Sequence, residues 1–478
     1  MDPGEPAEEL SVPEALLLAM EWHRGGRVQA AAEVYRRILA SSDDQVDALQ
    51  FLGIALHQLG RSDEGVASIR RALELDPGCE GALNNLGNVL KEMGRADEAE
   101  RAYRHVVELN PANADAFNNL GVVMKEQRRL DDAVAAYRRA IALQPRHADA
   151  WHNLANALKK AGRIDDALSA YGEAIRVRPY HAEAYRNLAR TLYAVGRPEE
   201  ATGVYGQWLA CEPDNPVPRH MLAAGSGRDV PPRATDDYVV ATFDSFAATF
   251  DLVLERLDYR APGLVAEAIQ RAVGAAAGRL DVLDAGCGTG LCGSLLRPHA
   301  RWLVGVDLSP RMIDKARGRE VYDELVTAEL SAYLASTLDS FDLVVSADTL
   351  CYFGDLGPVL ATAIESVQPG GWLVVTLEAA ESEPACGYRL QPHGRYSHGR
   401  TYVRRTLEAT GWHLAAMEDA TLRNEAQAPV SGLVVVARRG RANGMHDPRV
   451  TPSQAASLHP PLSTPPLRAG SPHARCSR

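Results

Sequence analysis

Five residues in this 478-residue chain could work on one small ligand: Asp284, Gly286, Gly288, Gly290 and Asp307. The apolar run Leu280 to Leu283 predicts a buried strand that Asp284 closes, and Leu291 to Leu296 predicts the start of a helix. Between them the glycines alternate with small residues, so backbone can approach a ligand closely. The third glycine comes one position too early for the dinucleotide fingerprint G-x-G-x-x-G. Asp284 just before the turn would repel a pyrophosphate and suits an ammonium group. A second apolar run, Trp302 to Val306, delivers Asp307 21 positions beyond Gly286, where a strand end presents a carboxylate to a ribose diol.

Acid, glycine turn and ribose acid together resemble the S-adenosylmethionine site of class I methyltransferases. The resemblance implies a cofactor site at Asp284, Gly286, Cys287, Gly288, Gly290 and Asp307, continued by Leu308 and Met312. It also implies adenine contact by Glu329, near the end of a third strand read over Leu325 to Leu330. Asp348, after a fourth strand over Phe341 to Ser346, faces the same crevice. Substrate-side candidates are Tyr352, Tyr388, Tyr396, His393 and His398, with His398 as base and Tyr396 orienting it. No Asn/Asp-Pro-Pro-Tyr and no Pro-Cys follows the fourth strand; Ser346-Ala347-Asp348-Thr349 stands there instead. The methyl acceptor is therefore open. The chemistry calls for no metal.

The elements that must position this site occupy residues 236–439: an amphipathic helix with Phe243, Phe246, Phe250 and Leu254 on one face, the strands above, a fifth strand over Trp372 to Leu377, a helix over Tyr402 to Thr410, and two last strands forming an antiparallel hairpin. The expected fold is a Rossmann-like seven-stranded α/β domain. Ahead of it a 34-residue period runs from Val12 to Asn215. Large residues recur at Leu49, Leu83, Phe117, Trp151 and Tyr185, and small ones at Gly53, Gly87, Gly121, Ala155 and Ala189. Tyr35, Tyr103, Tyr137, Tyr171 and Tyr205 recur in the second helix, and Pro77, Pro111, Pro145 and Pro179 stop it. Close-packed helix pairs need small residues where they cross and proline where they end. This resembles the tetratricopeptide repeat six times over, a helical superhelix with a capping helix to residue 224. Residues 225–235 form a Gly/Pro/Arg linker. Residues 1–11 and 440–478 carry no periodicity and are expected to be disordered.

Asparagines recur on the first helices despite their poor helix propensity: Asn85, Asn119, Asn153 and Asn187 above all. They resemble the ladder in the repeats of protein O-GlcNAc transferases, which implies a grip on an extended peptide. Hydrogen bonding between helices is the other reading. No glycosyltransferase domain follows the repeats.

The whole chain except its tail resembles a bacterial family of predicted tetratricopeptide-repeat methyltransferases. Phe243-Asp244-Ser245-Phe246-Ala247, Tyr259-Arg260-Ala261-Pro262, Tyr388-Arg389-Leu390-Gln391-Pro392 and Gly394-Arg395-Tyr396-Ser397-His398 carry that likeness. It implies the fold and the cofactor but no substrate; the first reading is an active methyltransferase whose repeats recruit a protein partner or substrate. Two other readings stay open: a scaffold that binds S-adenosylmethionine without turnover, and an enzyme tailoring small molecules. A formal charge of −11, from 51 basic and 62 acidic residues, argues against a general nucleic-acid or membrane-surface binder. Seven cysteines without a C-x-x-C pair, and no apolar run of signal or spanning length, point to a cytoplasmic home.

Overall fold

The computed structural model describes residues 10–275, 277–425 and 428–440. The N-terminal segment and the basic tail therefore lie, but for a few residues, outside the described part. Twelve helices, from Val12–Arg24 to Pro198–Cys211, form six antiparallel pairs. An added Cβ at Gly87 would meet the Tyr103 ring at 2.6 Å, and one at Gly121 the Tyr137 ring at 2.7 Å. The small residue of these first helices thus seats the aromatic of its own second helix, and Gly53 seats Ile69 in the same way. Gly26, Gly60, Gly94, Gly162 and Gly196 take positive φ between the paired helices, and Arg128 takes φ +64° at the same repeat position. A final helix, Pro216–Ser226, caps the array.

The asparagines mostly bond across repeats. Asn85 Nδ2 donates to Gln50 Oε1 at 3.1 Å, Asn153 Nδ2 to Asn118 Oδ1 at 3.0 Å, and Asn187 Nδ2 lies 3.0 Å from His152 Nε2. Tyr103 and Tyr171 donate to Asn88 and Asn156, each at 2.6 Å. The first three bonds hold one repeat against the next, and the two tyrosine bonds tie the paired helices of one repeat. Asn118 is buried, so Asn153→Ala strips its partner and is expected to cost about 1–3 kcal/mol. A thermal melt of the full chain reads this as a lowered Tm; an unchanged Tm would return the ladder to ligand duty.

The C-terminal sheet is built from β1 (Leu280–Ala285), β2 (Ala300–Asp307), β3 (Glu324–Thr327), β4 (Phe341–Ser346), β5 (Val367–Ala379), β6 (Tyr388–Leu390), β7 (Tyr396–His398), β8 (Trp412–Glu425) and β9 (Ala428–Arg439). The first five run parallel in the order β3-β2-β1-β4-β5. β9 pairs antiparallel with both β5 and β8, which completes seven strands. The β6–β7 hairpin attaches to the end of β5 through Glu378 and Ala379. Alternate residues feed opposite faces, as a pleat requires. Leu283, Val304, Val344 and Val375 pack under helices Leu330–Ser336, Gly357–Ser366 and Arg400–Ala409. Val282, Leu303, Leu343 and Val374 pack under Ala261–Val273.

The single amphipathic helix expected ahead of the sheet is two helices, Asp236–Phe246 and Phe250–Arg256, broken at 247–249. The break folds the phenylalanines into one cluster, with Phe243 to Phe246 at 5.8 Å and Phe246 to Phe250 at 5.3 Å between ring centroids. The linker is not slack. Pro232 O accepts from Gly354 N–H at 2.9 Å and Asp355 N–H at 2.8 Å, and Ala234 N–H donates to Tyr352 O. Tyr396 hydroxyl donates to Pro231 O at 2.6 Å. Ala223 and Ala224 of the capping helix share an apolar cluster with Leu390 and Tyr396. Tyr185 and Trp208 of the last repeat share another with Tyr238 and Tyr352. The repeats and the sheet domain therefore pack directly on each other.

Candidate functional site

Strand order reverses between β1 and β4, and a cavity of about 1230 Å³ opens at their carboxyl ends. This is the switch point at which α/β sheets take ligands. Gly286, Cys287, Gly288, Asp307, Leu308, Glu329 and Asp348 line it. Gly286 has φ +79° and Gly288 φ +55°. A Cβ on Gly286 would collide with the Thr349 side chain, so only glycine lets the turn pass there. Asp307 ends β2 with both oxygens held from behind: Gly288 N–H donates to Oδ2 at 2.9 Å and Ser309 N–H to Oδ1 at 2.8 Å. Its burial raises its carboxyl above the usual range, and the two backbone donors oppose that.

Asp284, Gly290 and Met312 lie behind the wall, not on it. Asp284 is buried, and its Oδ2 accepts the Tyr322 hydroxyl at 2.7 Å. The Tyr322 ring lies where Cβ atoms on Gly290, Gly293 and Gly305 would be, at 3.0, 2.7 and 2.9 Å. Gly290 thus makes room for a ring that supports the turn from beneath, which glycine spacing alone could not distinguish from ligand approach. Met312 is buried in the helix Pro310–Arg317, its N–H donating to Ser309 Oγ. Glu329 caps the helix Leu330–Ser336 with Oε2, accepting Ala332 N–H at 2.7 Å, and still faces the cavity.

Burial pushes Asp284 up to about 7, with the Tyr322 bond pulling against it and Asp307 adding to it. The folded chain therefore keeps a proton that the unfolded chain, with a carboxyl near about 3.9, would release. Stability is expected to fall as pH rises from about 4 to about 7 and to level off above, because the native state binds more protons in that window. Melts of Asp284→Asn across the same pH range should lack that decline; an identical pH slope in both proteins would show that Asp284 ionises freely.

Aromatic side chains cover the cavity. Phe243, Phe246 and Phe250 line it with Tyr352, whose ring lies 5.4 Å from Phe243. Two bonds tie these helices to the glycine turn and to the loop after β2: Thr289 Oγ1 donates to Asp251 at 2.5 Å and Ser309 Oγ to Asp244 at 2.5 Å.

The acceptor-side pair expected from the sequence is elsewhere. His398 is 1% exposed. Its Nε2–H donates to Phe353 O at 2.8 Å and lies 3.2 Å from Gly354 O, and its Nδ1 is buried without a partner. Burial lowers it to about 4, so it is neutral. Tyr396 is fully buried, spends its proton on Pro231 O, and is raised by burial. Neither lines the cavity. The sequence placed both among the substrate-side candidates; the hairpin instead turns both side chains into the interface under the linker.

A charged cluster takes their place. Arg423 (2% exposed) pairs with Asp348 Oδ2 at 2.5 Å, with Glu425 Oε1 at 2.7 Å, and with Glu378. Arg395 pairs with Glu378 and Glu425, each at 2.5 Å, and His393 Nε2 lies 3.5 Å from Glu378. All but Glu378 line the cavity. Three carboxylates share two guanidiniums. Burial would raise Glu425, but Arg395 and Arg423 outweigh it and pull it to about 2. Asp348 is the least compensated: burial raises it despite Arg423, and its Oδ1 has no partner. Asp348 also holds φ +57°, a strained conformation for a residue with a Cβ. A register shift between Thr421 and Arg423 in β8 lets consecutive Leu422 and Arg423 both turn inward, as a bulge does. The sequence signal was a pair of opposite charges, Arg423 and Glu425, two positions apart in a strand. Among the described residues no cluster of three or more His, Cys, Asp or Glu could hold a metal, and no helix is long and apolar enough to cross a membrane.

Family models for a methyltransferase domain match residues 257–418, and for the tetratricopeptide repeat residues 18–78, 84–148, 124–158 and 152–216. A malonyl acyl-carrier-protein O-methyltransferase of Acetivibrio thermocellus is 38% identical over 98 residues, 20% of this chain and 34% of that protein. The human methyltransferase-like protein 27 is 32% identical over 145 residues, 29% of this chain and 58% of its own. The chain thus spans between a third and three fifths of these relatives. Among solved structures, the tetratricopeptide protein YrrB is 23% identical, with a TM-score of 0.32, covering 41% of this chain and 99% of YrrB.

Proposed function

Because the chain joins tetratricopeptide repeats to a methyltransferase domain, we propose that it transfers a methyl group from S-adenosylmethionine to a protein acceptor brought in by the repeats. One observation carries this reading. Lys159, Arg186, Asn187 and Arg190 of the last two repeats line the same cavity as Gly286, Gly288 and Asp307. A segment held at the end of the array is already in the reaction chamber.

The residues present fit the cofactor. Asp307 offers the ribose hydroxyls a carboxylate already fixed by two backbone donors. The turn from Gly286 to Gly288 has no side chain that would block close approach, and Leu308 and Glu329 continue the wall toward the adenine. The cofactor supplies an activated methyl on a good leaving group. Alignment by the walls then does much of the work, and the phenylalanine cover keeps water out. Asp348 lines the cavity, and its carboxylate, held at Oδ2 by Arg423 and without a partner at Oδ1, accepts the proton of an acceptor that arrives protonated.

Two measurements test this. Asp307→Ala is expected to weaken S-adenosylhomocysteine binding by about 1.5–3 kcal/mol, the loss of charged hydrogen bonds, read by calorimetry. Unchanged affinity removes Asp307 from the site, and preferential binding of NAD removes the reading. The full chain incubated with methyl-labelled S-adenosylmethionine and lysate is expected to label protein. Label confined to small molecules would favour the tailoring reading, and cofactor binding with no transfer the scaffold reading.

A further inference from the structure

The stripe of polar side chains along each first helix ends in a cation at a fixed place in the repeat. Lys91, Lys125 and Lys159 stand 34 residues apart, seven positions after Asn84, Asn118 and His152 and so on the same helical face. The next repeat carries Arg186 and Arg190 on that face. Among the described residues none of the three lysines, nor Lys160 or Arg190, has a carboxylate within ion-pair distance. Neighbouring acids are mostly engaged: Glu92 with His57, Asp115 with His147, Asp149 with Arg178, Glu183 with Arg186. Glu126 acts on Lys125 only at longer range.

This leaves a row of like charges that repel one another. Lys125 and Lys159 are held below their ordinary range, first by burial, then by Lys160 and Lys91 on Lys125 and by Arg190 on Lys159. Half-buried cations without counter-charges are costly, whereas Arg61, Arg95, Arg163 and Arg197, just ahead of the second helices, each pair with an acid in the first turn of that helix. The row also has a direction. Lys159, Arg186 and Arg190 line the cavity that contains Gly286, Asp307 and Asp348.

We propose that the first-helix face is a track for an acidic peptide segment, whose carboxylates neutralise Lys91, Lys125 and Lys159 in turn and whose acceptor side chain enters the cavity past Arg186 and Arg190. Its second half rests on the methyl-transfer reading; the binding half does not. An acidic peptide fits better than a nucleic acid. The row is single file with one lysine per 34-residue repeat, which suits carboxylates that a peptide can space at intervals and not a strand charged at every nucleotide.

Fluorescence anisotropy with labelled oligoglutamate, a neutral glycine-serine peptide and a single-stranded oligonucleotide tests this on the full chain. Oligoglutamate should bind best, with affinity falling as salt is raised. The triple substitution Lys91→Gln, Lys125→Gln, Lys159→Gln should weaken it on the order of tenfold, the sum of three partly exposed pairs. Removing uncompensated cations should leave the melt unchanged or raise it. S-adenosylhomocysteine affinity of the double variant Lys91→Gln, Lys125→Gln, at two lysines outside the cavity wall, should match wild type, which separates a failed track from a failed cofactor site. Equal binding of acidic and neutral peptides, indifference to the triple substitution, or tighter binding of the oligonucleotide would each overturn the proposal.

Discussion

Arg423→Met is expected to destabilise the methyltransferase domain by about 3–5 kcal/mol, the cost of removing one partner from a buried ion cluster. The arginine is 2% exposed and bonded to Asp348, Glu378 and Glu425. Without it, three carboxylates share Arg395 alone, and Asp348 and Glu378 must desolvate or protonate. For a domain of this size the Tm should drop by roughly 10 °C. Pairing the change with Glu378→Gln removes one stranded charge and should recover part of the loss. A single variant that melts like wild type would mean that water reaches the cluster and screens it.

Asp348→Asn should affect turnover far more than folding. If the Asp348 carboxylate takes the acceptor's proton, the amide cannot, and kcat is expected to fall by about 10²–10⁴-fold, the usual contribution of general-base catalysis. S-adenosylhomocysteine affinity should stay close to wild type, since the ribose and glycine-turn contacts are untouched. The direction of the Asp348 shift, upward by burial, predicts a rate that rises with pH through a value above the ordinary carboxylate range and then flattens. A full rate in the variant would mean an acceptor that reacts without losing a proton. Equal loss of cofactor affinity would reassign Asp348 to the cofactor side.

Periodic and local features were readable in the chain. The 34-residue period fixed the pairing of helices, because each repeat solves the same packing problem with the same residues. β4 begins and ends at Phe341 and Ser346 as the apolar run implied, and β1 and β2 run only slightly past theirs. The acid-glycine-acid pattern lay in one strand-turn-helix unit and led to the cavity. Features set by contacts distant in sequence were hidden. His398 and Tyr396 have the right types for a base and its partner, but Phe353 O and Pro231 O, 45 and 165 residues away, take their hydrogen bonds. Arg423 meets Asp348 across 75 residues, after a bulge that no composition rule locates. The asparagines were visible as a ladder, yet the partners of Asn85, Asn153 and Asn187 lie one repeat away, and recurrence alone fits a ligand and a neighbour equally well.

The last repeat and the capping helix share apolar clusters with the sheet domain and wall its cavity, while the earlier repeats touch mainly one another. The array is therefore adjustable from one end only. A whole 34-residue unit inserted or deleted between the second and third repeats would lengthen or shorten the reach of the molecule and leave its reaction chamber intact. The same edit at the sixth repeat would unroof that chamber. On the proposed reading, diversification of the captured partners proceeds by copying units at the outer end, with the chemistry at the inner end held constant.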